Sequence, residues 1–119
     1  MGTWGPGNFD DDTAADHLSS ITANLVDEIE KAIAGAPHEI EPDEYGGAMV
    51  PCNVELLALI AEKGRWTGTV LPEPATVERW KAIYLSTWDG YIDELGPAPG
   101  FKRKRRAILT RTFDRLIRA

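Results

Sequence analysis

The stretch TAADHLSSITANLVDEIEKAIA, residues 13–34, decides the fold class. Its apolar side chains recur every three or four residues, as they do on one face of an α-helix; they are Ala14, Leu18, Ile21, Leu25, Val26, Ile29 and Ile33. Asp12 or Thr13 is predicted to cap this helix, and Gly35 with Pro37 is predicted to end it. A helix with one apolar face must bury that face against neighbouring elements.

Three further segments predict helices. Residues 52–63 are apolar on more than one face, and Pro51 is predicted to kink or restart the chain just before them. Pro74 is predicted to open a third helix, and residues 101–118 form a fourth. The third helix has the stripe Val77, Trp80, Tyr84, Trp88, Tyr91 and Leu95; the fourth buries Ile108, Leu109, Thr112, Phe113, Leu116 and Ile117.

Short connections between such helices favour an all-α fold, a small bundle of four to five helices formed as one domain by residues 1–119. Trp66 and Leu71 are predicted to anchor the loop before the third helix. The aromatic residues of the third helix are predicted to pack in the core, although at helical spacing they can also line a ligand groove.

Composition limits the function classes. Cys52 is the one cysteine, so neither an internal disulfide nor a cysteine-rich zinc site can form. The longest apolar stretch, residues 54–61, contains Glu55 and is too short to cross a bilayer. Because the first residues also lack the pattern of a secretion signal, we expect a cytoplasmic protein with no membrane partner.

Charge is distributed unevenly along the chain. Residues 1–100 contain 18 acidic and 5 basic side chains, whereas residues 101–119 contain 8 basic side chains and one acidic one. Such asymmetry indicates either an interaction tail or two faces that pair within one fold. In the second case, we expect the two acidic N-terminal helices to neutralise the basic last helix.

The N-terminus MGTWGPGNFDDDTAAD, residues 1–16, is rich in glycine and is predicted to form a compact loop that buries Trp4 and Phe9 against the first and third helices. It resembles the N-terminus of a bacterial family, domain of unknown function 4259, through Trp4, Gly5, Gly7, Phe9, Asp10, Asp12, Ala15 and Asp16. The resemblance implies no activity or cofactor. Small bacterial families of this style include immunity and toxin-related partners.

Several acidic and nucleophilic side chains are candidates for a chemical site. The run Asp10, Asp11 and Asp12 with Asp16 could bind a hard cation, and Asp10, Asp12 and Asp16 with His17 could move a proton. The spacing lacks the ligand pattern of a calcium loop, and helix capping explains the acids. Cys52 has no evident base and is expected to be a buried structural residue. We therefore predict no metal, no cofactor and no enzymatic activity.

The strongest functional signal is the run Lys102, Arg103, Lys104, Arg105 and Arg106. Consecutive cations can contact phosphates, and Arg111 would extend the surface, so a nucleic-acid accessory protein is one hypothesis. The net charge of -6 disfavours it. Our leading hypothesis is a non-enzymatic domain, immunity-like or regulatory, that binds a protein partner through its acidic face; the oligomeric state stays open.

Overall fold

The computed structural model describes residues 2–64 and 67–119 and has four α-helices. They are α1 (Asp12–Ala34), α2 (Tyr45–Lys63), α3 (Pro74–Tyr91) and α4 (Pro99–Arg118), with 3-10 turns at Pro37–Ile40 and Ile92–Leu95. Within these residues the one β pairing is an isolated bridge between Thr3 and Asp11. The predicted small all-α bundle is confirmed. The prediction for Trp66 lies outside the described residues.

Helix α1 begins one residue earlier than its pattern indicates. Its N-cap is Asp11, whose Oδ1 accepts a hydrogen bond of 2.7 Å from the backbone N–H of Ala14. The prediction of Asp12 or Thr13 as the cap is therefore wrong by one or two positions. The helix ends as predicted before Gly35.

Helix α2 runs through Pro51 without a break, so the predicted restart of the helix at this residue is wrong. Proline has no N–H, so the carbonyl of Gly47, four residues earlier, lacks its helical partner. The buried hydroxyl of Tyr84 on α3 donates to that carbonyl at 2.6 Å. A tertiary hydrogen bond thus replaces the helical one, and the same burial raises the pKa of Tyr84 to about 12.

The first turn of α2 requires two glycines. A Cβ on Gly46 would collide with the carbonyl oxygen of Glu39, and one on Gly47 with the carbonyl oxygen of Glu41. Both glycines are buried. The 3-10 turn and the residue after it can therefore lie at backbone distance from the start of α2.

The core lies between the four helices, each of which contributes buried residues to it. Trp80, Tyr84 and Trp88 are buried on α3, and the rings of Tyr84 and Phe113 are 5.6 Å apart. These aromatic residues are core residues, as the helical spacing indicates. The predicted stripe extends too far, since Leu95 is 45% exposed.

Helix α1 is joined to α3 through Glu30. Trp80 is completely buried, and its Nε1 donates to Glu30 Oε1 at 3.1 Å. Arg79 donates to both oxygens of the same carboxylate at 3.2 and 3.3 Å. One acidic residue therefore satisfies a buried indole N–H and an exposed guanidinium.

The loop before α3 is held by hydroxyl groups of α1. Ser19 Oγ donates to the carbonyl of Gly68 at 2.6 Å, and the N–H of Val70 donates to the buried Thr22 Oγ1 at 2.8 Å. Gly68 has a φ of +95°, which favours glycine. Leu71, the predicted anchor, is 38% exposed, so hydrogen bonds to α1 position this part of the loop.

The N-terminal loop folds mainly onto itself. The N–H of Trp4 donates to the carbonyl of Asp10 at 2.7 Å, and the N–H of Asp12 donates to the carbonyl of Gly2 at 2.7 Å. Trp4 is 51% exposed and Phe9 is half-buried. The predicted burial of Trp4 against the bundle is therefore wrong, because backbone hydrogen bonds stabilise this loop without inserting the indole into the core.

Candidate interaction surface

Helix α4 positions the cations that dominate the C-terminal charge. Pro99 occupies its first turn, where a missing N–H is tolerated. Leu109, Thr112, Phe113 and Leu116 are buried against the bundle. The cations of α4 therefore lie around the rest of its circumference, so that some face α2 or α3 and others face solvent.

On the side toward α3, cations pair with carboxylates. Arg106 makes two hydrogen bonds of 2.8 Å to Asp89, and Lys102 lies 2.7 Å from Asp93. The hydrogen bonds from Arg106 hold the pKa of Asp89 below its ordinary value. The resulting stabilisation is present above the ordinary aspartate pKa and is lost as the pH falls through the lowered one.

On the side toward α2, Arg115 is the linking residue. Its Nη2 lies 2.7 Å from Glu62 Oε1, and its Nη1 lies 3.9 Å from Glu55. Lys81 of α3 also pairs with Asp114 of α4 at 2.7 Å. The carboxylates that neutralise cations of α4 therefore belong to α2, to α3 and to the 3-10 turn after α3. The prediction for α1 is wrong, since no ion pair joins α1 to α4 among residues 2–64 and 67–119.

The remaining cations of α4 have no carboxylate within salt-bridge distance in the part of the chain that the structure describes; they are Arg103, Lys104, Arg105, Arg111 and Arg118. Lys104, Arg111 and Arg118 are exposed and lie seven residues apart. Since seven residues are nearly two helical turns, these side chains form one row on the outer side of α4.

Two apolar residues lie beside this row. Phe101 is 57% exposed and Ile108 is 42% exposed, and they are also seven residues apart. The predicted burial of Ile108 is therefore wrong. We call Phe101, Lys104, Ile108, Arg111 and Arg118 together the α4 seam.

The consecutive cations do not form one patch. Lys102 and Arg106 are paired with carboxylates. Arg103 and Arg105 point to other sides of α4, so that of residues 102–106 only Lys104 lies in the seam. Successive residues of a helix are rotated by about 100°, so a run in sequence is spread around the axis. The 3–4 spacing from Phe101 to Arg118 is the signal that sequence reasoning missed.

The N-terminal acids do not converge on a cleft. Asp10 Oδ2 accepts from the N–H of Gly7 at 2.8 Å, and Asp11 caps α1. Asp12, Asp16 and His17 are exposed on the first turns of α1. No group of three histidine, cysteine or acidic side chains arranged to hold a metal ion occurs within the described ranges. Among the motif residues, Gly5 lies beside the Asp10 carboxylate.

A shallow groove of about 400 Å³ lies between α1 and the start of α2. It contains Glu28, His38, Glu39 and Tyr45. Tyr45 donates to Glu28 at 3.1 Å, and Glu39 accepts from the N–H of Ala36 at 2.7 Å. These carboxylates already have partners within the fold.

Cys52 is exposed on α2, contrary to the expected burial. In the described helices, none combines the length and apolar character needed to cross a bilayer. The exposed thiol of Cys52 does not by itself define a chemical site.

Comparisons with known proteins give the family. No curated protein and no solved structure matches the chain. The family model described as Domain of unknown function (DUF4259) matches residues 2–119, which confirms the resemblance of the N-terminal motif at the level of the family. The chain therefore belongs to the DUF4259 family.

Proposed function

We propose that this protein is a non-enzymatic protein-interaction domain, immunity-like or regulatory, that binds its partner through the α4 seam. The observation that carries the proposal is the combination of unpaired cations with exposed Phe101 and Ile108 on one helix face. Arginine and aromatic residues are enriched where proteins bind each other, because both bury large contact areas.

The contact surface differs from the acidic face expected from composition. Many carboxylates are occupied within the fold: Glu30 binds Trp80 and Arg79, Asp89 binds Arg106, and Glu62 binds Arg115. A carboxylate that already has a partner gains less from a new one, since the first pair must be broken or shared. The unpaired groups of α4 have no such cost.

The test is affinity capture from the native host with two charge-reversed proteins. Arg111→Glu combined with Arg118→Glu reverses the seam. Lys31→Glu is a control charge reversal outside the seam, because Lys31 is a highly exposed cation on α1 whose ion-pair partner among the described residues is Asp27, one turn away. We expect a partner, identified by mass spectrometry and rebound in purified form, to be lost with the seam variant and kept with the control. Equal capture by both variants would contradict the proposal.

A nucleic-acid accessory function is the second candidate, favoured by the row Lys104, Arg111 and Arg118. Three phosphate contacts predict that affinity for duplex DNA falls roughly 40-fold between 50 and 200 mM salt. An electrophoretic shift with this salt dependence, lost on charge reversal of Lys104 and Arg111, would support it. The exposed apolar side chains of Phe101 and Ile108 favour the protein partner.

A further inference from the structure

The α4 seam has the period of a helix-pairing surface. Phe101 and Ile108 form one row that continues to Arg115, and Lys104, Arg111 and Arg118 form the other. The two rows alternate at spacings of three and four residues. Side chains at this spacing lie on one side of the helix, where a second helix can contact them along several turns.

We propose that the α4 seam binds an acidic amphipathic helix supplied by the partner protein. This inference rests on the proposed function and names the partner's chemistry. From Phe101 to Arg118 the seam is about 26 Å long at 1.5 Å per residue, and it is two side chains wide. A single helix of about five turns covers such a strip, whereas a strand has a different side-chain period.

Charge complementarity selects an acidic helix. The exposed cations of the seam lie about 10 Å apart along α4, and carboxylates at heptad spacing on a partner helix recur at the same distance. Phe101 and Ile108 would bury against apolar residues of that helix. A phosphate backbone offers no apolar surface to these two side chains, which favours the protein partner over nucleic acid.

The seam also specifies how the partner is patterned along its length. Beyond Ile108 the apolar row meets Arg115, which lies outside the seam because its guanidinium is held by Glu62 at 2.7 Å. The seam is thus mixed apolar and cationic near the start of α4 and wholly cationic near its end. A matching helix carries its apolar residues at one end and its carboxylates toward the other, and a polar residue within an apolar row fixes the register.

The experiment uses the full chain and synthetic peptides labelled for fluorescence anisotropy. The probe peptide has about three heptads, with leucine at the seam positions of one end and glutamate at those of the other and at flanking positions. The matched peptide has the same composition with the leucines moved off the heptad spacing. We expect the heptad peptide to bind at least about tenfold more tightly than the matched peptide, because only the former aligns both charges and apolar groups.

Three variants locate the binding. Phe101→Ala with Ile108→Ala, and separately Arg111→Glu, are each expected to weaken binding about tenfold. Lys31→Glu on α1 is expected to leave it unchanged. The substituted residues are exposed, and circular dichroism checks that each variant keeps the helical content of the parent.

Several outcomes would overturn the inference. These are equal binding of both peptides, unchanged binding by the seam variants, displacement of the peptide by an equal concentration of duplex DNA, and self-association of the chain that the same variants abolish. Loss of a captured host protein with the seam variant, combined with failure of the peptide test, would leave the proposed function standing and remove only the acidic helix.

Discussion

Two tryptophans occupy very different environments in this protein. Trp80 is completely buried between α3 and α1 and donates to Glu30, whereas Trp4 in the N-terminal loop is 51% exposed. Trp4 lies in the glycine-rich N-terminus, and Trp80 lies in the aromatic stripe of α3. Backbone hydrogen bonds therefore stabilise the loop, whereas burial of side chains stabilises the bundle.

The largest effect is expected for Trp80→Ala. The substitution empties a large core volume and leaves Glu30 without its indole donor, so the free energy of unfolding should fall by about 3–5 kcal/mol. Trp4→Ala should lower it by about 1 kcal/mol or less, since its side chain is half in solvent. Urea denaturation measures both. A larger loss for Trp4→Ala than for Trp80→Ala would show that the loop depends more on side-chain burial than the bundle does.

A second prediction compares two glycines of helices. Gly47→Ala places a Cβ against the carbonyl of Glu41, and the required backbone shift should cost about 2–3 kcal/mol. Gly90→Ala is the control, because no heavy atom lies within 4 Å of the added Cβ. There, alanine should stabilise α3 by about 0.5–1 kcal/mol. Thermal or urea unfolding gives the sign of each change.

Tyr84→Phe should lower the stability at pH 8 by about 1–3 kcal/mol, because the buried carbonyl of Gly47 loses the hydroxyl that donates to it. The pKa of Tyr84 is raised to about 12 from an ordinary 10.0, so the unfolded chain releases this proton first. The stabilisation from Tyr84 is therefore complete below pH 10 and is lost as the pH rises toward 12.

At pH 11 the advantage of the parent protein over Tyr84→Phe should have shrunk by about 1 kcal/mol. Measuring both proteins at each pH cancels the titration of other groups. A constant difference from pH 8 to pH 11 would show that the hydroxyl is not held protonated by burial.

The smallest effects are expected on α4. Arg106→Glu places a carboxylate beside Asp89 and should lower stability by about 1 kcal/mol, less at high salt. Arg111→Glu should change it by no more than about 0.5 kcal/mol, since no described carboxylate pairs with Arg111. Equal losses from both would show that the seam also supports the fold, which would weaken the case for its role in binding.

The four helices and the buried aromatic residues Trp80, Tyr84 and Trp88 could be predicted from the sequence, because helical periodicity is a local property of the chain. The family could be predicted too, because its N-terminal motif is a continuous stretch of residues. Tertiary structure alone decided that α2 continues through Pro51, since the compensating donor is Tyr84, 37 residues away from Gly47. It likewise decided which cations of α4 are neutralised and which face solvent. Ion pairing depends on the distance between side chains of different helices, and the order of residues along the chain does not give that distance.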